Sequence, residues 1–238
     1  MDERTALVTG ANKGIGKDIA RLLAAEGLTV YVGARDPGRG QRAVEEIGNG
    51  ARLLVLDVTD PDVIAQAAAQ VDRLDVLVNN AGISPSLTPP ADTGVEEYRR
   101  TYETNVFGVA AVTNAFLPAL RRSPRPRIVN VSSGTASLTR SSDANAQFAL
   151  GNGGAAAYRS SKAALNALTL LYAQTLADDG FKVNALAPGL RATDLNALAA
   201  ATGGDPAEAA QGALRLALLP DDGPTGGFFS WDGTPVPW

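Results

Sequence analysis

Short, almost uninterrupted apolar runs recur along the chain and alternate with longer stretches in which apolar residues return every three or four positions. The runs are Ala6-Leu7-Val8, Val30-Tyr31-Val32, Leu53 to Leu56, Val76-Leu77-Val78, Ile128 to Val131 and Val183 to Leu186. A strand wetted on one face alternates apolar with polar residues. Runs without alternation predict strands covered by helices on both faces, as in a parallel sheet. Between the first two runs, Ile15, Ile19, Leu22 and Leu23 fall at helical spacing and Gly27 stands where such a helix ends. Asp60-Pro61 offers a cap and a first-turn proline, and Asp205-Pro206-Ala207-Glu208 adds a glutamate at the capping-box position. The pattern predicts an α/β fold, one doubly wound parallel sheet in a single domain over residues 1–238. Ser137 to Ala157 and Leu195 to Pro224 break the rhythm with small, polar and Gly-rich stretches, and read as elaborations near a site rather than as linkers.

Charge and composition narrow the chemistry. With Lys+Arg 21 against Asp+Glu 25 the formal charge is −4 and no basic block stands out, so nucleic acid is not an expected partner. Cys and His are both absent. That removes disulfides, thiolate and imidazole metal ligands, Cys nucleophiles and imidazole acid-base chemistry, and no metal site is expected. No stretch approaches the roughly 20 apolar residues of a membrane span. Met1-Asp2-Glu3-Arg4 has neither the charge order nor the apolar length of a signal peptide. The expectation is a cytoplasmic protein with no membrane partner.

The first predicted strand runs into Thr9-Gly10-Ala11-Asn12-Lys13-Gly14-Ile15-Gly16 and then a helix. Glycines there let the backbone turn tightly against a diphosphate, whose charge is favoured by the unpaired N–H groups of the helix N-terminus. Taken alone, such a turn is also compatible with a simple tight connection. At the end of the second strand, where a dinucleotide's adenosine ribose arrives, stand Arg35 and Asp36. A carboxylate there accepts from a free 2′-OH, whereas an arginine pairs with a 2′-phosphate. Lys13 and Arg39 add positive charge, which favours the phosphorylated cofactor over the alternative that these arginines are solvated helix-start residues.

Tyr158 and Lys162 are four positions apart at the start of a helical segment reaching to about Ala177, so they share a face. A nearby cation favours the phenolate and brings the phenol's pKa towards the range of efficient proton transfer. Ser132-Ser133 follows the strand Ile128 to Val131, at the carboxyl edge where open α/β sheets place ligands. A serine there can donate to a carbonyl oxygen that is gaining negative charge.

These residues, in this order, resemble the short-chain dehydrogenase/reductase family over nearly the whole chain. Thr9 to Gly16 looks like the family's cofactor turn, Asp57-Val58 like its adenine contact, and Asn79-Asn80-Ala81-Gly82 like its sheet-stabilising motif. Asn105, Ser133, Tyr158 with Lys162, and Pro188-Gly189 followed by Thr193 are similar to the remaining signatures. Gly226 to Gly233 resembles its final strand and turn. The resemblance implies a Rossmann-like three-layer sandwich and a catalytic set of Asn105, Ser133, Tyr158 and Lys162. It implies cofactor contacts at Gly10, Asn12, Lys13, Gly14, Ile15, Gly16, Arg35, Arg39, Asp57, Val58, Asn79, Tyr158, Lys162, Pro188 and Thr193.

Ala34-Arg35-Asp36, Arg39-Gly40-Gln41, Ala43-Val44, Asn12-Lys13-Gly14 and Leu74 to Val78 look most like the NADPH-dependent carbonyl reductase branch. By that likeness the cofactor is NADP(H) and the partner a small-molecule carbonyl substrate. Tyr158 would then give the proton, Lys162 would bind the nicotinamide ribose and lower the phenol's pKa, and Ser133 would hold the carbonyl oxygen. Asn105 would support a water relay, and Thr193 would anchor the carboxamide. The alternatives are an NAD(P)-dependent alcohol dehydrogenase working in the oxidative direction and a non-catalytic NADP-binding or sensing protein.

Against the family's usual pattern, the stretch between Ser133 and Tyr158 is long, which marks an insertion over about 135–157, and about 190–224 reads as a substrate lid. Ala163, Ala164, Leu165, Ala167, Leu168, Leu170 and Leu171 leave the helix after Tyr158 apolar around much of its circumference. Phe148 and Leu150 of the insertion are expected to cover its outer face, which favours a monomer over a homodimer or homotetramer.

Overall fold

Each of the six apolar runs contributes a strand in the computed structural model, which describes residues 4–48, 50–143 and 153–238. The first half of the chain forms β1 (Thr5–Thr9), α1 (Gly14–Ala25), β2 (Thr29–Ala34), α2 (Pro37–Ile47), β3 (Ala51–Val55), α3 (Pro61–Ala68) and β4 (Val76–Asn79). Then come α4 (Val95–Tyr102), a π-helical turn (Glu103–Phe107), α5 (Gly108–Leu120), β5 (Arg127–Val131), a 3₁₀ turn (Gly134–Ala136) and α6 (Leu138–Ser142). The last elements are α7 (Ala156–Thr175), β6 (Lys182–Ala187), α8 (Ala197–Thr202), α9 (Pro206–Ala217) and β7 (Phe228–Ser230). The strands form one parallel sheet in the order β3-β2-β1-β4-β5-β6-β7.

Alternate residues of the strands enter different cores, which is why the runs are almost wholly apolar, with Asn130 and Asn184 as buried exceptions. Ala6, Val8, Val30, Val32, Val76 and Val78 pack with Ile19 and Leu23 of α1, Ala43 of α2 and Ala213 of α9. Leu7, Leu77, Ile128 and Val183 pack on the other side with Ile64 of α3, Phe116 of α5 and Ala173 of α7. Each fully buried Val, Leu or Phe contributes about 1.5–3 kcal/mol to this three-layer sandwich. Sheet growth reverses at β1, which pairs with both β2 and β4. The crevice beyond the carboxyl ends of β1 and β4 is therefore the place for a ligand.

The short-range signals largely hold. Asp60 accepts from the backbone N–H groups of Asp62 and Val63 at 3.0 and 3.1 Å. Gly27, with φ of +83°, donates to the Ala24 carbonyl as α1 ends. Asp205 accepts from Ala207 N–H at 2.9 Å, but Glu208 does not complete the capping box: its carboxylate turns instead to Arg191, a full cation. Part of the segment expected as a lid, 190–224, is packed into the core. Helix α9 buries Ala209, Ala210, Ala213, Leu216 and Ala217, while 190–204 before it and 220–224 after it lie outside the packed layers. Leu171 on the outer face of α7 is 56% exposed. Phe148 and Leu150, expected to cover that face, lie outside the described residues. No helix among the described residues is long and apolar enough to cross a membrane.

Candidate active site

The glycine turn leaves β1 at the crevice and is held from β4. Thr9 Oγ1 accepts from the N–H groups of Asn80 and Ala81, both at 3.0 Å, while Asn80 Nδ2 donates to the carbonyl oxygens of Thr9 and Gly10 at 2.9 and 3.3 Å. A Cβ at Gly16 would lie 2.4 Å from Asn80 Nδ2 and 2.7 Å from the Gly10 oxygen, so the backbone there must stay bare. Gly10 and Gly14 have φ of +64° and +55°, the left-handed region that glycine tolerates. Lys13 stands at the N-cap of α1, whose first N–H groups, those of Gly14, Ile15 and Gly16, have no intrahelical acceptor.

Beside the turn is a cavity of about 240 Å³ lined by Asn12, Lys13, Arg39, Arg42, Ala43, Glu46 and Asp194. Lys13 Nζ is 3.0 Å from Asp194 Oδ2, both of them lining residues. Asp36 caps α2: its Oδ1 accepts from Arg39 N–H at 2.9 Å, a bond that holds this carboxyl below the usual carboxylate range, and the Arg39 guanidinium is 3.6 Å away. Arg35 is exposed at the end of β2 and does not line the cavity. Arg42 does, and sequence reasoning missed it, although its place three positions after Arg39 puts both on one helical face.

The other expected cofactor contacts are more reserved. Asp57 Oδ1 accepts from Thr59 N–H and Thr59 Oγ1 at 2.9 and 2.7 Å. The Val58 carbonyl lies against Gly108, 2.6 Å from where a Cβ would stand. Asn79 is buried, and its Nδ2 donates to Thr113 Oγ1 and Asn130 Oδ1 at 3.1 and 2.9 Å. Its Nδ2 braces β4 against α5 and β5, while its buried Oδ1 has no partner among the described residues.

Tyr158 and Ser133 meet at the carboxyl edge of β5. Burial pushes the Tyr158 phenol's pKa up, opposed by its hydrogen bond with Ser133. Ser133 Oγ lies 2.9 Å from Thr135 Oγ1 and accepts from Thr135 N–H at 3.3 Å. Ser132 is turned inward, donating to Asn166 Oδ1 at 2.6 Å. Lys162 is 4% exposed, and burial brings its amine down to about 8. Its Nζ donates to the Val131 carbonyl at 2.8 Å and lies 5.9 Å from the centre of the Tyr158 ring. Without cofactor, burial is the larger influence on the phenol, and the Lys162 ammonium spends one of its three donors on the strand.

Asn105 occupies the π-helical turn and joins three segments. Its Oδ1 accepts from Ile83 N–H at 2.9 Å, and its Nδ2 donates to the Ile83 carbonyl and to Ser161 Oγ, both at 3.0 Å. Ser161 in turn donates to the Tyr158 carbonyl at 2.7 Å. A Cβ at Gly82 would lie 3.3 Å from both Asn105 Oδ1 and Lys162 Nζ, so these two groups converge around that glycine. Pro188 and Gly189 follow β6, and the chain returns so that Thr193 Cγ2 is 3.3 Å from where a Cβ on Gly14 would stand. The loop thus brings the end of the sheet back over the glycine turn.

The family model described as short chain dehydrogenase matches residues 4–202. The chain belongs to the short-chain dehydrogenase family. It is similar to salutaridine reductase of Papaver bracteatum, 34% identical with 95% of this chain and 94% of that protein covered. It is also similar to cyclopentanol dehydrogenase of Comamonas testosteroni, 38% identical with 82% of this chain and 76% of that protein covered. Among solved structures, NADPH-bound carbonyl reductase from chicken fatty liver superposes with a TM-score of 0.84 at 29% identity, covering 100% of both chains.

As a short-chain dehydrogenase the chain is an oxidoreductase that uses NAD(P) on small molecules. Sequence reasoning about this short-chain dehydrogenase missed Thr135 and Ser161, which touch the expected catalytic set. Ser161 adjoins Lys162 in the sequence, and Thr135 follows the serine pair by two positions, but neither spacing alone distinguishes a positioning hydroxyl from a helix-start residue.

Proposed function

We propose that the chain reduces the carbonyl carbon of ketones, aldehydes or quinones with NADPH, with Tyr158 as the proton donor. The observation that carries this reading is the convergence of Tyr158, Ser133 and Lys162 at the edge of β5 while Thr193 overlies the glycine turn. The bare backbone at Gly10 and Gly16 fits a diphosphate, and the cavity of Lys13, Arg39 and Arg42 favours a 2′-phosphate. Asp36, committed to capping α2, is poorly placed to select a free 2′-OH instead.

Bound NADPH is the source of the hydride. A desolvated Tyr158 stays protonated well past neutral pH, the form that a donor to a developing alkoxide needs. Ser133 Oγ accepts from Thr135 N–H and pairs with the hydroxyl of Thr135 and the phenol of Tyr158, so it stands beside the proton donor where its own hydroxyl can donate to the same oxygen. Lys162 would hold the nicotinamide ribose and Thr193 the carboxamide, while Asn105, bonded to Ile83, keeps the π-helical turn in place for a water relay.

The same residues serve alcohol oxidation, the reading that likeness to a cyclopentanol dehydrogenase favours. Initial rates on a panel of ketones, aldehydes and quinones, headed by cyclopentanone, and on the matching alcohols separate the two. Reduction with NADPH is expected to be fastest. Faster alcohol oxidation supports the reverse direction, and no turnover with tight NADPH binding supports a sensing protein.

A further inference from the structure

Arg191 is a buried cation that this mechanism does not use. It is 6% exposed, although arginine is seldom buried without partners. Its Nε donates to the Pro188 carbonyl at 2.6 Å, its Nη1 pairs with the Glu208 carboxylate in the first turn of α9, and its guanidinium carbon lies 4.4 Å over the Trp231 ring just past β7. The backbone around it is fixed as well. Gly204 N–H donates to the Leu190 carbonyl at 3.0 Å, and Ala192 N–H donates to the Gly204 carbonyl at 2.8 Å. Gly203 has to be small, since a Cβ there would sit 2.1 Å from the Arg191 carbonyl carbon. Two and three positions after Arg191 stand Thr193, against Gly14, and Asp194, 3.0 Å from Lys13 Nζ.

We propose that Arg191 is a positioning residue that clamps the 188–204 loop to α9 and to Trp231, and so holds Thr193 over the glycine turn before the cofactor arrives. The inference rests on the dinucleotide reading of that turn. The segment has only the short α8 as regular structure of its own, so without an anchor the ordering of the loop would oppose cofactor binding. The anchor has to accept a flat ring on one face while donating in its plane to a carbonyl and a carboxylate. A guanidinium has that shape; an ammonium does not.

The test is Arg191→Lys, with Glu208→Gln as a milder variant should the first not fold. Amide hydrogen exchange is measured on the protein without cofactor, and NADPH affinity, KM and kcat are measured beside it. We expect the Ala192 and Gly204 amides to exchange about tenfold faster or more while strand amides are unchanged. The Kd and KM for NADPH should rise about tenfold with kcat at saturation altered less than about threefold. Unchanged exchange at Ala192 and Gly204 overturns the clamp. So does faster exchange with unaltered NADPH affinity, or a loss of kcat at unaltered KM, which marks general damage to the fold. A wild-type protein that binds neither NADPH nor NADH overturns the dinucleotide reading and, with it, the cofactor half of the inference. In that case the exchange data still decide whether Arg191 holds the loop.

Discussion

Replacing Lys162 with methionine should make the cofactor-free protein more stable at neutral pH while removing its activity. Burial lowers the amine from 10.5 to about 8, which corresponds to about 3 kcal/mol against the charged form. Below pH 8 both folded and unfolded chains carry the ammonium, and the folded state bears that cost in full. Between pH 8 and 10.5 the unfolded chain holds a proton that the folded chain has released, so wild-type stability rises with pH across this window. Methionine has similar length, suits a helix and carries no charge. It leaves the Val131 carbonyl without the 2.8 Å donor, a loss of about 1–2 kcal/mol. The net expectation at pH 7 is a gain of about 1–2 kcal/mol and a Tm higher by roughly 2–8 °C. At pH 10 the wild type has recovered most of the desolvation cost, so the difference should vanish or reverse. Urea unfolding of both proteins at pH 7 and pH 10, without cofactor, measures this directly. A variant that is less stable than wild type at pH 7, by an amount that does not change with pH, would refute the claim that Lys162 is held charged at the expense of the fold.

Tyr158→Phe should lower turnover more than about a hundredfold while leaving NADPH affinity intact by titration, because only the transferable proton is lost; turnover like the wild type removes Tyr158 from the mechanism. Arg35→Ala and Arg42→Ala should each narrow a preference for NADPH over NADH in kcat/KM. A charge-assisted phosphate contact of about 1.5–3 kcal/mol amounts to about ten- to a hundredfold, and equal use of the two cofactors by wild type contradicts the 2′-phosphate assignment. Gly16→Ala places a Cβ 2.7 Å from a backbone oxygen, so cofactor affinity and Tm should both fall; a fully functional variant would mean that the turn relaxes freely. Ala155, with φ of +59° just before α7, should be replaceable by glycine with a gain of up to about 1 kcal/mol in urea unfolding, and a loss of stability would contradict strain there.

What the sequence makes legible follows from the range of each interaction. Burial on both faces leaves the same apolar run in Ala6-Leu7-Val8 and in Val76-Leu77-Val78, so the sheet can be read from the strands singly. The cap at Asp60 and the left-handed backbone at Gly10 and Gly14 are set by near neighbours and can be recognised in the sequence, although the atoms that crowd the turn come from Asn80, Ala81 and Thr193. The direction of Lys162 is not of this kind. A spacing of four assigns it to the face of Tyr158, yet the carbonyl that its ammonium meets belongs to β5 and is delivered by the fold. Glu208 sharpens the contrast. A local rule sends its carboxylate back to the start of its own helix, but a guanidinium from a separate loop is the stronger partner and takes it. Arg191 itself stands between Leu190 and Ala192 with no periodic companion to mark it. Only the assembly of Pro188, Glu208 and Trp231 around one point turns it into an anchor. The backbone that receives a dinucleotide can therefore be inferred from neighbouring residues, whereas the placement of the buried cations that hold and finish the site requires the fold.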